Sequence, residues 1–283
     1  MKIHSRKNVL LAAVAAAFML GGSPAFADLH SPLPELGDLT KWGVFTLGAD
    51  GLQFDKMSGH TYISGDVGVA GNGNIELSAY ATIHGNLNYH TGGTLKMGKK
   101  TQIDGAITQN DADLDNSVNE ATTASAHAST FVTSAAYAGI NNISLKDHQR
   151  VTLFATNDRP GNTTVLNLGN LTLSGNAVLT LSGSSSSNFI INVSSEFKLT
   201  SHSEIRLDGG LTWNNVLFNV IGAGTDSKKK VELSGDSRMA GVLMAVNRTV
   251  QMSGHSVVVG EVVANRLKLS GDAEVFHPSV VSP

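Results

Sequence analysis

The chain contains no cysteine at all. Disulfides and thiolate metal centres are therefore excluded, and the fold has to rest on backbone ladders and buried apolar surface. Charge is also scarce: Asp, Glu, Lys and Arg make up 15% of the 283 residues, and the formal net charge is −3. The one basic run, Lys228 to Lys230, reads as a solvated loop tip, so an electrostatic grip on nucleic acid or an anionic membrane is not expected. No apolar run reaches the roughly 20 residues of a membrane-spanning helix. What the chain has in quantity is glycine, serine, threonine and asparagine, the residues of repeated tight turns.

The ends carry their own signals. Lys2, Arg6 and Lys7 precede an apolar stretch from Val9 to Leu20 and a small-x-small site, Ala25-Phe26-Ala27, which together read as a secretory signal peptide over residues 1–27. Without it, 17 basic residues face 23 acidic ones, a formal charge near −6. Residues 28–283 are expected to form one β-solenoid domain, secreted and extracellular, with periplasmic retention left open. The terminal "VFHPSVVSP" shows no hydrophobic tail, so release rather than anchoring is expected.

The organising feature is a nine-residue pattern. "MSGHTYISG" from Met57, "LSAYATIHG" from Leu77 and "MGKKTQIDG" from Met97 lie 20 residues apart, and each ends in glycine, at Gly65, Gly85 and Gly105. "LSGDSRMAG" from Leu233, "MSGHSVVVG" from Met252 and "LSGDAEVFH" from Leu269 repeat it, and looser copies start at Leu173 and Leu199, making eight in all. The first position is Leu or Met, the fifth Ser, Thr or Ala, and the seventh aliphatic or Met. This is an apolar anchor, a tight corner and a short strand whose fifth and seventh side chains point inward. The sixth column, Tyr62, Thr82, Gln102, Val178, Glu204, Arg238, Val257 and Glu274, then points outward.

A unit of about 20 residues that cannot bury its own apolar face is the signature of a stacked solenoid, with turns about 4.8 Å apart. The expected fold is all-β: a parallel β-helix with one long α-helix packed alongside. That helix is read from an insert at about residues 111–137, where Leu114, Val118, Ala121, Ala128, Phe131 and Ala135 fall near helical spacing. Asp111 or Asp113 is its candidate cap and Gly139 its end. Val242, Met244 and Val263 are too apolar for an exposed strand face and are the candidates for what it covers. Asn167, Asn192 and Asn219 recur in similar strands and can form a hydrogen-bonded stack at a corner.

These residues bring in a family. "ISGDVGVAGNG", Ile63 to Gly73, resembles the start of the secreted bacterial ice-binding domains of the DUF3494 type. The succession "NFIINV", "NNVLFNV", "MAGVLMA", "VVGEVVA" is similar to the related choice-of-anchor A domain of exported surface and matrix proteins. The resemblance spans about residues 42–278. It implies that the β-helix is right-handed, with a long helix beside it, and that one flat face of threonines and other small residues binds ice. The sixth column, bulky and charged, departs from that pattern, and no Thr-x-Thr ladder is legible.

Candidate chemistry is sparse. No catalytic constellation, nucleotide-binding loop or cofactor site is found. Glycine pairs at Gly71 to Gly73 and Gly222 to Gly224 lack the flanking strand, helix and acid of a nucleotide site. His202, Asp236, His255 and Asp272 share the fourth repeat position and would form an alternating column along one corner, a weak candidate for cation binding or pH response. A solvated corner outweighs that reading, and no metal site or cofactor is expected. The function expected from the sequence is a secreted, non-enzymatic surface or matrix protein that binds an extracellular macromolecule or itself. Ice binding through a flat face is the alternative, and a polysaccharide-active enzyme stands third. The binding face is left unassigned.

Overall fold

The structure is a computed structural model that describes residues 36–48, 54–72, 74–78, 80–156, 158–222 and 231–278. The candidate signal peptide, the lysine run and the last five residues lie outside them. The described chain forms 23 strands, every pairing among them parallel, and one α-helix, α1, at Asp111–Thr130. The strands coil into nine stacked turns of three faces each. One face, here the anchor face, holds strands ending on the repeat's Leu or Met, such as Asn170–Leu173. After the corner comes the outer face, with strands such as Val178–Ser182. The third, the helix face, includes Thr163–Leu168, Asn188–Val193 and Val216–Val220.

The repeat grammar accounts for the interior. Fifth-position Thr61, Ala81, Ala177, Ser203, Ser237, Ser256 and Ala273 are all buried, as are seventh-position Ile63, Ile83, Leu179, Ile205, Met239, Val258 and Val275. At the corner between anchor and outer faces, residues three and four of the repeat take left-handed backbone, as in Gly235 and Asp236 (φ 61° and 60°) or Gly254 and His255 (φ 60° and 58°). Glycine enters this region without a Cβ penalty, and Asp, Asn and His are the other residues that enter it most readily. The fourth position therefore selects His and Asp for backbone reasons before any side-chain chemistry is considered.

A ninth copy escaped the pattern. "LKDHQRVTL" from Leu145 pairs in register with the copy at Leu173, and Asp147 and His148 take the same left-handed corner (φ 50° and 66°). Gln149 at its fifth position, where the other copies carry a small residue, hides it.

The turns do not stack in chain order. The turns at residues 142–168, 170–193 and 197–220 follow one another from one end, and Arg238–Met252 and Val257–Ser270 continue the stack. The next turn is composite. Its outer-face strand is Glu274–Phe276, from the end of the chain, and its helix-face strand is Trp42–Thr46, from the beginning. The N-terminal turns then carry the stack outward to Ile107–Thr108. From there α1 runs back along the helix face to the opposite end, and its 20 residues span about 30 Å.

The helix is shorter than its apolar spacing suggests. It stops at Thr130, and Phe131 is extended (φ −72°, ψ 133°). The following residues instead cap the open edge of Thr163–Leu168: the Ser134 N–H donates to the Val165 carbonyl at 2.9 Å, and the Val165 N–H donates to Ser134 Oγ at 3.0 Å. An uncovered edge strand carries unpaired backbone groups, and satisfying them outweighs two more helical turns. Ala135 is accordingly exposed. The N-cap is Asn110, whose side chain accepts from the Asp113 N–H, whereas Asp111 is bonded to the Thr91 N–H and hydroxyl at 2.8 and 2.6 Å. Two apolar cores result, one inside the coil and one between α1 and the helix face. The second includes Val242, Met244 and Val263 as expected, with Phe45, Val165, Ile190 and Leu217.

Candidate functional site

With α1 over one face, the other two faces and the corner between them carry the longest rows of side chains left to solvent. On the outer face the sixth-position column is outward as expected, although Val178 is almost fully covered (6% exposed). The eighth-position column runs beside it. In register, Arg238, Val257, Glu274, Tyr62 and Thr82 form one row, and Ala240, Val259, Phe276, Ser64 and His84 the next. Short side chains at Ala240, Val257 and Val259 therefore meet in the middle of the face, half-buried, while charges flank them. Glu204 and Arg206 pair within one strand at 2.6 Å. The anchor face is more charged along its rows, with Lys198 and Glu232 paired across turns at 3.4 Å. Where it is uncharged, Asn142 bonds Asn170, and Ser144 bonds Thr172 at 3.1 Å.

The fourth-position column does come together, and extends further than its four candidates. His202 Nε2 lies 3.1 Å from Asp236, His255 contacts Asp236 through Nδ1 at 3.4 Å and Asp272 through Nε2 at 3.2 Å, and His60 Nδ1 lies 3.3 Å from Asp272. Each contact joins neighbouring turns, so the groups meet in pairs along an axis. Among the described residues no set of three or more His, Cys, Asp or Glu converges to hold a metal ion. The column is a row of His and Asp side chains in contact from turn to turn on an exposed corner.

The asparagines behave differently. Asn167, Asn192 and Asn219 lie on strands of the helix face, not at a corner. Two of the three side-chain amides donate along the stack, Asn219 to Asn192 Oδ1 and Asn192 to Asn167 Oδ1, both at 2.8 Å. All three amides donate to α1 and the residue after it: Asn219 to the Ser125 carbonyl at 2.9 Å, Asn192 to that of Ala128 at 2.8 Å and Asn167 to that of Phe131 at 2.9 Å. Ser125 Oγ closes the network on Asn219 Oδ1 at 2.7 Å. This is a seam that fastens the helix to the sheet, with its amides already committed.

Two buried ionisable groups had no signature in the sequence. Arg248 clamps one corner by donating to the carbonyls of Ser194, Ser195, Ile221 and Gly222 at 2.8–3.1 Å. Glu261 is fully buried two residues before Val263, on the same side of its strand, and among the described residues neither carboxylate oxygen has a hydrogen-bond partner. Burial in apolar surroundings pushes its pKa well above the usual carboxylate range.

A long parallel β-solenoid with a helix laid along one face, and rows of side chains exposed on the others, defines the class of protein. Within that class, residues 35–277 match the family model of the ice-binding-like adhesive domain, and the chain belongs to that family. Solved structures agree on the fold. An ice-binding protein from the Antarctic ascomycete Antarctomyces psychrotrophicus superimposes with a TM-score of 0.59 at 19% identity, over 87% of this chain and 98% of that one. A glycosylated ice-binding protein from an Arctic yeast gives 0.62 at 17% identity, over 89% and 97%. The DUF3494 domain of an ice-binding protein from Shewanella frigidimarina gives 0.56 at 16%, over 87% and 98%. No curated protein matches the chain. The family and these neighbours are ice-binding or adhesive proteins rather than enzymes, and among the described residues no helix is long and apolar enough to cross a membrane.

Proposed function

We propose that this chain is a secreted, non-enzymatic ice-binding protein that uses the outer face of its solenoid. The observation that carries the reading is the outer face, which lies open to solvent among the described residues, with Ala240, Val257 and Val259 half-buried at its centre. Short apolar side chains from two adjacent turns, about 4.8 Å apart, form a patch fixed on a stacked sheet, and an apolar surface of that rigidity orders the water above it. The ice-binding names of the family and of its structural neighbours support this over a purely structural matrix role.

The test is inhibition of ice recrystallisation by residues 28–283, with a heat-denatured control. Val259→Tyr should abolish inhibition and leave the melting temperature within about 1 °C, as a surface substitution does. Inhibition that survives in Val259→Tyr moves the contact to another face, and no inhibition by the parent protein removes the reading. Adhesion to an extracellular macromolecule is the second reading. The charged flank of Glu204, Arg206, Arg238 and Glu274 favours it, because ion pairs suit a polymer better than an ordered water layer. Retention on the surface of producing cells, lost at high salt, would single it out.

A further inference from the structure

The two ends of the stack are finished differently. At the end formed by residues 142–168 the interior is closed: Tyr137 and Ile140 pack against the inner core, and Ile143, Leu145 and Leu153 of that turn stay buried. Its strand edges are engaged as well. The Tyr137 hydroxyl accepts from the Phe154 N–H at 2.8 Å and donates to the Phe154 carbonyl at 2.6 Å, while Ser134 satisfies Val165. The opposite end has no such plug among the described residues. Its last turn consists of Thr94–Met97, Gln102–Ile103 and Ile107–Thr108, and each of these strands is paired on one side only. The buried columns are laid open there. Leu77 and Leu87 are 2% and 0% exposed, whereas Met97 and Ile107, their partners in the last turn, are both 45% exposed. Unpaired backbone over uncovered apolar side chains is a template for another sheet edge.

The rim of this open end has its charges sorted. Lys96 lies on the anchor face, with Lys99 and Lys100 at the corner that follows, whereas Asp104 marks the corner between the outer and helix faces and Asp111 the start of α1. Lys100, Asp104 and Asp111 are tied to Tyr80, His84 and Thr91 of the turn behind, which fixes them at the rim. Two such ends fit each other. A two-fold axis perpendicular to the stack, through the middle of the outer face, exchanges the two corners of that face. It sets the Lys99 and Lys100 corner of each copy against the Asp104 corner of the other, and lays the strand bearing Lys96 along the side where the other copy carries Asp111. Ile103 then meets its own counterpart in an antiparallel pair. A head-to-tail copy would instead meet edges at Phe154 and Val165 that Tyr137 and Ser134 already fill. We propose that the open end is a self-association surface through which two copies join head to head in a two-fold dimer. Because the axis passes through the outer face, the two outer faces lie side by side on one surface of the dimer.

The chain has no cysteine, so single cysteines report contacts between copies. Ile103→Cys places a thiol on the axis, where opposed Cβ atoms of an antiparallel pair come within disulfide reach, and it should form a covalent dimer under mild oxidation. Phe154→Cys, at the plugged end and on a more exposed residue, should stay monomeric. Sedimentation equilibrium of the parent at about 10–200 µM should show monomer and dimer alone, the weak association expected of a small end-on interface. Ile107→Lys should weaken it about tenfold or more, since lysine blunts a strand edge, and leave the melting temperature unchanged. A double variant, Lys99→Glu with Lys100→Asp, and a separate Asp104→Lys variant should each be monomeric alone and dimerise when mixed. A parent that stays monomeric, assembly that continues past two, or cross-linking through Phe154→Cys as fast as through Ile103→Cys overturns the proposal. Should Ile103→Cys disturb the last turn, the charge-swapped pair decides: a dimer restored on mixing supports the two-fold arrangement, and its absence rejects it.

Discussion

The helix seam and the exposed corner use the same device with opposite chemistry. Each places one polar residue per turn in a line along the stack, so that every side chain meets its counterpart above and below. Under the helix the residue is asparagine, and Asn192 and Asn219 are almost completely buried. At the corner it is His or Asp, with side chains 41–70% exposed. An amide donates and accepts at once without carrying charge, so a stack of amides can leave water cheaply provided all its bonds are made. A charged row would pay a large desolvation penalty in the same place, and it persists only where water still reaches it. Burial, more than sequence spacing, decides which chemistry a ladder can use.

Breaking the buried ladder should have the largest effect. Asn219→Leu strands Ser125 Oγ, the Ser125 carbonyl and Asn192 Oδ1 away from water, and should cost about 3–5 kcal/mol in urea unfolding. A loss under about 1 kcal/mol would show that the seam is dispensable.

Glu261 tests the same contrast in reverse, as an ionisable group left without partners under cover. Its folded pKa is raised, so its contribution is fully present below the unfolded value of about 4.3 and is lost as pH rises through the folded one. Glu261→Met should therefore stabilise the protein by about 1–3 kcal/mol at neutral or alkaline pH and flatten that part of the stability profile. An unchanged profile would mean that the carboxyl finds a partner that the folded structure does not show.

Two substitutions at one corner residue separate backbone from charge. Asp236→Ala places an ordinary L-residue at φ 60° and should cost about 1–2 kcal/mol at any salt concentration. Asp236→Asn keeps that conformation and removes only the charge, so its cost should be about 0.5 kcal/mol near pH 6 and vanish in about 1 M salt. If both variants lose the same amount, the corner is held by its ion pairs and not by the left-handed preference.

Much of this architecture is legible in the residues. The anchor, the small fifth residue and the aliphatic seventh specify which side chains enter the coil, and the structure buries them. The His/Asp alternation was visible as a column because consecutive C-terminal repeats do stack in order. The Asn167, Asn192 and Asn219 recurrence was visible too, but its location was not. Periodicity reports that residues share a row, and only the path of α1 reveals that this row lies beneath a helix. Arg248 and Glu261 gave no local sign, because their neighbours come from other turns.

Sequence by itself determined the repeating unit, since a corner with two left-handed residues and a strand with a period of two are local steric facts. It also determined the helix, though not its end: residues 131–134 left the helical pattern to cover a strand edge contributed by Thr163–Leu168. The order of the turns was decided by tertiary structure alone. All turns offer nearly the same parallel edge, so local pattern cannot choose which of them adjoin. A helix of about 30 Å that returns the chain to the far end of the stack makes that choice, and it brings Gly43 and His277 into one turn.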